Sequence, residues 1–225
     1  MIQFTKAGRT VRVFPAREPG APLICLNACD EETEAVYGEL PGGLPDFTLA
    51  GISGLDWNRD MVPWDLPGEK ESFTGGADDY LRLLTGTLLP AVEDCLPGPP
   101  GWRGIAGYSL GGLFALYALC RTEAFHGAAS VSGSLWFPGI VEYLTEHEMS
   151  PGVCRVYLSV GSREARTRNP LMRPVRQNAE AVEALCRERG IRTTFVLNPG
   201  NHFFQPARRT AAGIAWLLGG TEPKS

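Results

Sequence analysis

The run Trp102–Gly112, WRGIAGYSLGG, constrains the fold of this chain more than any other segment. Arg103–Tyr108 reads as a short apolar strand and Leu110–Arg121 as a helix, with Gly107-Tyr108-Ser109-Leu110-Gly111 between them. A G-x-S-x-G pattern alone says little in a chain with 27 glycines among 225 residues; its flanks carry the inference. A serine on a tight strand-to-helix turn projects its hydroxyl off the end of a sheet, and the adjacent helix N-terminus offers free N–H groups. Glycines flank such a serine because a Cβ there would collide with the turn's own backbone.

Around this turn, strand-like and helix-like segments alternate. Gln3–Phe14 reads as one or two strands with a turn at Ala7-Gly8-Arg9. Leu23–Asn27 and Phe47–Ile52 read as buried strands, with a helix over Thr33–Leu40 between them. Gly54–Thr74 is rich in Pro, Gly and Trp and reads as irregular. Ala77–Cys95 has helical periodicity and ends at the breaker Leu96–Gly101. Beyond the central helix, Gly127–Ser132, Val153–Val160 and Arg192–Leu197 read as strands, with Gly133–Pro138 as a loop. Gly139–His147, Leu171–Arg189 and Arg208–Leu218 read as helices. This alternation predicts an α/β architecture with a mostly parallel sheet covered on both faces. The length suits one domain spanning 1–225, with 219–225 as a frayed tail.

A net charge of −4 argues against nucleic-acid or anionic-membrane partners, and no segment is long and apolar enough to span a bilayer. The first residues, MIQFTKAGRTVRVF, alternate like a strand and lack the apolar core of a signal peptide, so the cytoplasm is the expected compartment. The six cysteines form no C-x-x-C pair and have no histidine at zinc-ligand spacing. They read as reduced structural thiols, Cys29 included.

A serine hydroxyl needs a base within hydrogen-bond reach, and that base usually needs an acid to orient it. Only three histidines are present. His126 precedes a strand and so falls at the end of the sheet away from Ser109. His147 sits in the polar run Thr145–Glu148. His202 follows the last strand, on the same edge as Ser109, and is the candidate base. Glu164 is the first carboxylate after the Val153–Val160 strand and the candidate orienting acid. The competing readings are surface pairing of Glu164 with arginines such as Arg166, and a bare Ser–His dyad. The expected oxyanion donors are the N–H of Leu110 and one from Ala28 or Cys29, just after the Leu23–Asn27 strand.

With serine, acid and histidine in this order, the chain resembles the esterase D-like branch of the α/β-hydrolases. That branch includes S-formylglutathione hydrolases, feruloyl and acetyl-xylan esterases, and enterochelin (siderophore) esterases. The resemblance runs from about Leu23 to Leu218. It is carried by Asp60-Met61-Val62-Pro63-Trp64, similar to a D-[LM]-x-P loop, and by Gly75–Tyr80 followed by Leu88-Leu89-Pro90. It is also carried by Gly107–Gly112, by Ser132-Gly133-Ser134-Leu135-Trp136 and by Gly200-Asn201-His202. Gly133 stands where the siderophore-esterase members have proline, and the chain has no room for a lid or an N-terminal accessory domain.

The expected architecture is therefore a three-layer α/β/α hydrolase fold without a lid domain. Its expected chemistry is cleavage of a small-molecule carboxylic ester or thioester through an acyl-enzyme, with no cofactor and no metal. Trp136 and Phe203 are the expected pocket residues. Arg59 either binds an anionic substrate group or pairs internally with Asp60. Trp57 and Trp64 either wall the pocket or pack their own loop. Two further readings stay open: a non-catalytic binding module on this scaffold, and an acyltransferase using the same triad. Nothing in the sequence demonstrates an oligomer.

Overall fold

A computed structural model describes residues 1–68 and 72–219. The chain opens with a hairpin, β1 (Ile2–Lys6) and β2 (Arg9–Phe14), whose turn holds Ala7 and Gly8 at φ 49° and 74°. There follow β3 (Leu23–Asn27), α1 (Glu32–Gly38), β4 (Thr48–Ser53) and the single turn α2 (Trp57–Asp60). A short antiparallel pair, β5 (Asp65–Leu66) and β6 (Phe73–Thr74), precedes α3 (Ala77–Leu83) and α4 (Leu89–Glu93). Next come β7 (Arg103–Tyr108), α5 (Leu110–Arg121), β8 (Gly127–Val131) and α6 (Ile140–Glu146). The chain closes with β9 (Arg155–Gly161), α7 (Val175–Glu188), β10 (Arg192–Asn198) and α8 (Pro206–Leu217).

The eight-stranded sheet has the order β1-β2-β4-β3-β7-β8-β9-β10, and its last six strands are mutually parallel. Only β2 runs against its neighbours, because the tight hairpin and the β2–β4 pairing both reverse it. Strand alternation divides the core into two layers. Cys25, Ile105 and Ala128 face one side, packed with Leu113, Phe114 and Leu116 of α5. Ile24, Leu26, Ala106 and Ala129 face the other, under Val36 of α1 and Ile214 and Trp216 of α8. These are the three expected layers. Helix α5 is buried from Gly111 to Leu119, which explains why it shows no polar face in the sequence.

Prolines account for two departures from the expected helices. The Ala77–Cys95 segment is not one α-helix: a π-helical turn at Leu84–Leu88 separates α3 from α4. Pro90 has no N–H for the Gly86 carbonyl and its ring crowds that position, so the ladder widens one turn earlier. The Leu171–Arg189 segment is a 3₁₀ turn at Pro170–Met172, then α7, because Pro174 imposes the break. The irregular Gly54–Thr74 stretch also holds more order than expected, namely α2, β5 and β6. The rest of the expected tail, 220–225, lies outside the described residues.

Candidate active site

Six parallel strands deliver their C-terminal ends to one edge, and the candidate residues lie just beyond those ends. Ser109 follows β7 with φ 56° and ψ −120°, a strained conformation for a residue with a side chain. The turn is held by the Ser109 N–H donating to Val131 O at 3.0 Å. A methyl group on Gly107 would overlap the backbone of Gly111, and one on Gly112 would press on the Gly107 carbonyl. Gly107 is therefore a steric requirement of the turn.

His202, in the loop after β10, places Nε2 3.1 Å from Ser109 Oγ. Its Nδ1 lies 2.8 Å from Glu164 Oε2. His126 takes the Arg103 N–H at 3.2 Å, at the opposite end of the sheet, and His147 lies against the Tyr143 carbonyl. Of the three histidines, His202 is the one beside Ser109.

Glu164 does not pair with Arg163 or Arg166. Its Oε1 accepts from the Gly161 N–H at 2.6 Å, the Ser132 hydroxyl at 2.8 Å and Arg209 at 3.2 Å. Burial alone would push this carboxyl up. The hydrogen bond and positive charge of His202, the Ser132 hydroxyl and the Gly161 N–H outweigh burial and hold it below the usual glutamate range.

Arg209 was not anticipated from the sequence. It is 4% exposed and donates to Tyr108 Oη, Ser132 Oγ and Glu164 Oε1, and to the carbonyls of Pro199 and Asn201. Tyr108, the residue before Ser109, donates its hydroxyl to the His202 carbonyl at 2.5 Å. One buried guanidinium thus ties the acid to the loop that carries the histidine. The signal was present: Arg209, Gly213 and Trp216 recur at helical spacing on the buried stripe of α8, whereas Arg208 falls outside it.

The expected oxyanion donors divide. The Leu110 N–H heads α5 with no acceptor among the described residues. Ala28 is corrected: its N–H donates to Ile52 O at 3.0 Å at the end of β4, so it is not free for an oxyanion. The Cys29 N–H donates to Glu32 Oε2 at 2.9 Å and so is engaged by a side chain rather than by a strand. Cys29 is exposed rather than packed, and partial burial together with Glu32 and Asp30 pushes its thiol up, away from thiolate chemistry.

An open cavity of about 430 Å³ lies over Ser109 and His202. Trp136 and Phe203 line it as expected, with Met172 and Val175 adding apolar wall. Phe203 is 84% exposed, a rim position. Arg59 is corrected as a substrate residue and takes its other reading, the internal pair: it is clamped by Asp60 at 3.1 Å and Asp79 at 2.9 Å and is not among the residues lining the cavity. Trp57 lies against Gly111 at the elbow, and Trp64 packs with Phe137 and Tyr143 while donating to the Pro138 carbonyl. A Cβ at Gly133, where the siderophore-esterase pattern has proline, would overlap the Ser130 hydroxyl, which explains the glycine. Among the described residues, no group of His, Cys, Asp or Glu is arranged to hold a metal, and no helix is long and apolar enough to cross a membrane.

The sheet order, the elbow and the Ser–His–Glu chain define an α/β-hydrolase fold. Residues 41–209 match the esterase family described as "Putative esterase", and the chain belongs to that family. A 153-residue stretch is 29% identical to the uncharacterized protein YbbA of Bacillus subtilis, spanning 65% of this chain and 61% of that relative's length. Among solved structures, the siderophore hydrolase EstA from Aspergillus nidulans is similar with a TM-score of 0.76 and 18% identity, over 97% of this chain and 93% of that one. An IroE-like serine hydrolase from Shewanella oneidensis gives a TM-score of 0.78 at 17% identity, over 94% and 76% of the two chains. The enterobactin esterase FES from Shigella flexneri, in the presence of enterobactin, gives 0.71 at 22% identity, over 97% and 57%.

Proposed function

We propose that this protein is a serine hydrolase of carboxylic esters or thioesters, with Ser109 as nucleophile, His202 as base and then acid, and Glu164 as the orienting carboxylate. The observation that carries this reading is the hydrogen-bonded chain of 3.1 Å and 2.8 Å linking the three groups on a strained elbow. Esterase family membership supports the same reading.

Ser109 Oγ attacks the acyl carbon while its proton passes to His202 Nε2. The carbonyl oxygen, now negative, takes the Leu110 N–H and the Cys29 N–H, displacing the Glu32 carboxylate from the second. Glu164, ionised, keeps the Nδ1 proton facing it and stabilises the imidazolium. His202 then protonates the departing alcohol or thiol, and a water activated by the same imidazole hydrolyses the acyl-enzyme. The neighbours named as siderophore hydrolases and esterases support including siderophore esters among the substrates tested.

Steady-state hydrolysis of a panel of aryl esters and thioesters tests this reading. Ser109→Ala is expected to lower kcat roughly 10⁴-fold or more on any substrate the parent cleaves. Full activity in that variant would overturn the assignment.

A further inference from the structure

Arginines dominate the side of the cavity next to Glu164. The segment Gly161–Arg176 carries Arg163, Arg166, Arg168, Arg173 and Arg176 against a single acid, Glu164, in a chain whose net charge is −4. Arg163, Arg166 and Arg168 all line the cavity over Ser109. Among the described residues, none of these three guanidiniums has a carboxylate or hydrogen-bond partner, whereas Arg176 is paired with Glu180 and Arg209 is consumed by the triad. Among the described residues, the only carboxylate lining the cavity is Glu164, and both its oxygens are engaged by His202, Ser132, Gly161 and Arg209. The segment is tied to the histidine loop by the Arg163 N–H donating to Gly200 O at 2.9 Å, and its next turn closes through Arg166 N–H to Arg163 O at 3.0 Å.

Three unpaired guanidiniums lining one concave site favour a ligand with negative charge, which would offset their mutual repulsion and take their free N–H donors. Arg163, through its N–H to Gly200 O, joins their segment to the loop that carries His202, the group that hands its proton to the departing alcohol. From this geometry we infer that the leaving group of the substrate bears one or more anionic groups, of the carboxylate, phosphate or sulfonate class, which Arg163, Arg166 and Arg168 bind. Trp136, Met172 and Val175 add apolar lining to the same cavity. This inference rests on the ester-hydrolase reading above and narrows its substrate class.

Two matched pairs of esters test it. 4-Acetoxybenzoate and 4-acetoxybenzamide form the same acetyl-enzyme and differ only in charge on the leaving phenol. Phenyl hydrogen succinate and the phenyl ester of succinamic acid place the same difference on the acyl side. Release of the phenol is followed in 0.05 M and 1 M salt, for the parent and for Arg166→Gln/Arg168→Gln. The expected result is a kcat/KM ratio, benzoate over benzamide, of about five- to tenfold at low salt. That ratio falls toward one at high salt, where the screening length shrinks to about 3 Å, and in the double variant. Equal rates for the first pair, a ratio unaltered in the double variant, or a charge preference only in the acyl pair overturns the anion subsite while leaving the hydrolase intact. No phenol released from any of the four overturns the hydrolase reading itself.

Discussion

Arg209 shows how much the Ser109–His202–Glu164 arrangement depends on a residue outside it. Its guanidinium is buried, and its partners span Tyr108, Ser132, Glu164 and the loop carrying His202. Arg209→Met leaves the buried Glu164 with one cationic partner fewer and frees two loop carbonyls. A stability loss of about 3 kcal/mol is expected from chemical denaturation. Arg209→Lys keeps the charge but cannot span five acceptors, so it is expected to lower kcat by about tenfold or more with a smaller change in KM. Unchanged kcat in Arg209→Lys would show that the clamp is structural only. Glu164 carries a pH signature of its own. Its native pKa lies below the unfolded value near 4.3. It therefore adds stability above that value, and the contribution is lost as pH falls through the native pKa. Melting temperatures from pH 6 to pH 3.5 are expected to fall more steeply in the parent than in Glu164→Gln; parallel curves would contradict the stabilised carboxylate.

Among the elements, the β7–Ser109–α5 unit is the most tightly specified. Gly107→Ala places its methyl on the Gly111 backbone, which has no side chain to move aside. At least about 2 kcal/mol of destabilisation is expected, a fall in melting temperature of roughly 4–8 °C, together with loss of activity. A variant as stable and active as the parent would mean that the elbow is looser than its geometry implies. This unit was fully legible in the sequence because local sterics dictate it. The same holds for β3, β7, β8 and β9, whose apolar runs admit few other structures. The breaks at Pro90 and Pro174 were also present in the sequence, but helical periodicity on both sides hides a one-turn interruption. Element α2 and the β5–β6 pair were illegible because tertiary contacts hold them. Asp60, fully buried, collects the distant Arg9 together with its neighbours Arg59 and the Asp56 N–H.

For the whole molecule, chain order and sheet topology together place Ser109, Glu164 and His202 on one edge, though they lie far apart in sequence. Sequence reasoning reached those three because each follows a parallel strand, and such positions share the C-terminal edge. It did not reach backbone donors, whose availability depends on hydrogen bonds from neighbouring strands. Ala28 is spent on β4 and Cys29 is covered by Glu32 for that reason. It left Arg59 between a substrate role and an internal pair with Asp60, and the pair is what forms, with Asp79 as a second partner; it left the arginines beside Glu164 unused. The central claim is that Ser109 is an activated nucleophile whose activation depends on His202. Intact-mass analysis after incubation with a fluorophosphonate probe tests this without assuming a substrate. The account predicts one adduct on the parent and none on Ser109→Ala or His202→Ala. No adduct on folded parent protein, or an adduct that persists in Ser109→Ala, would contradict it.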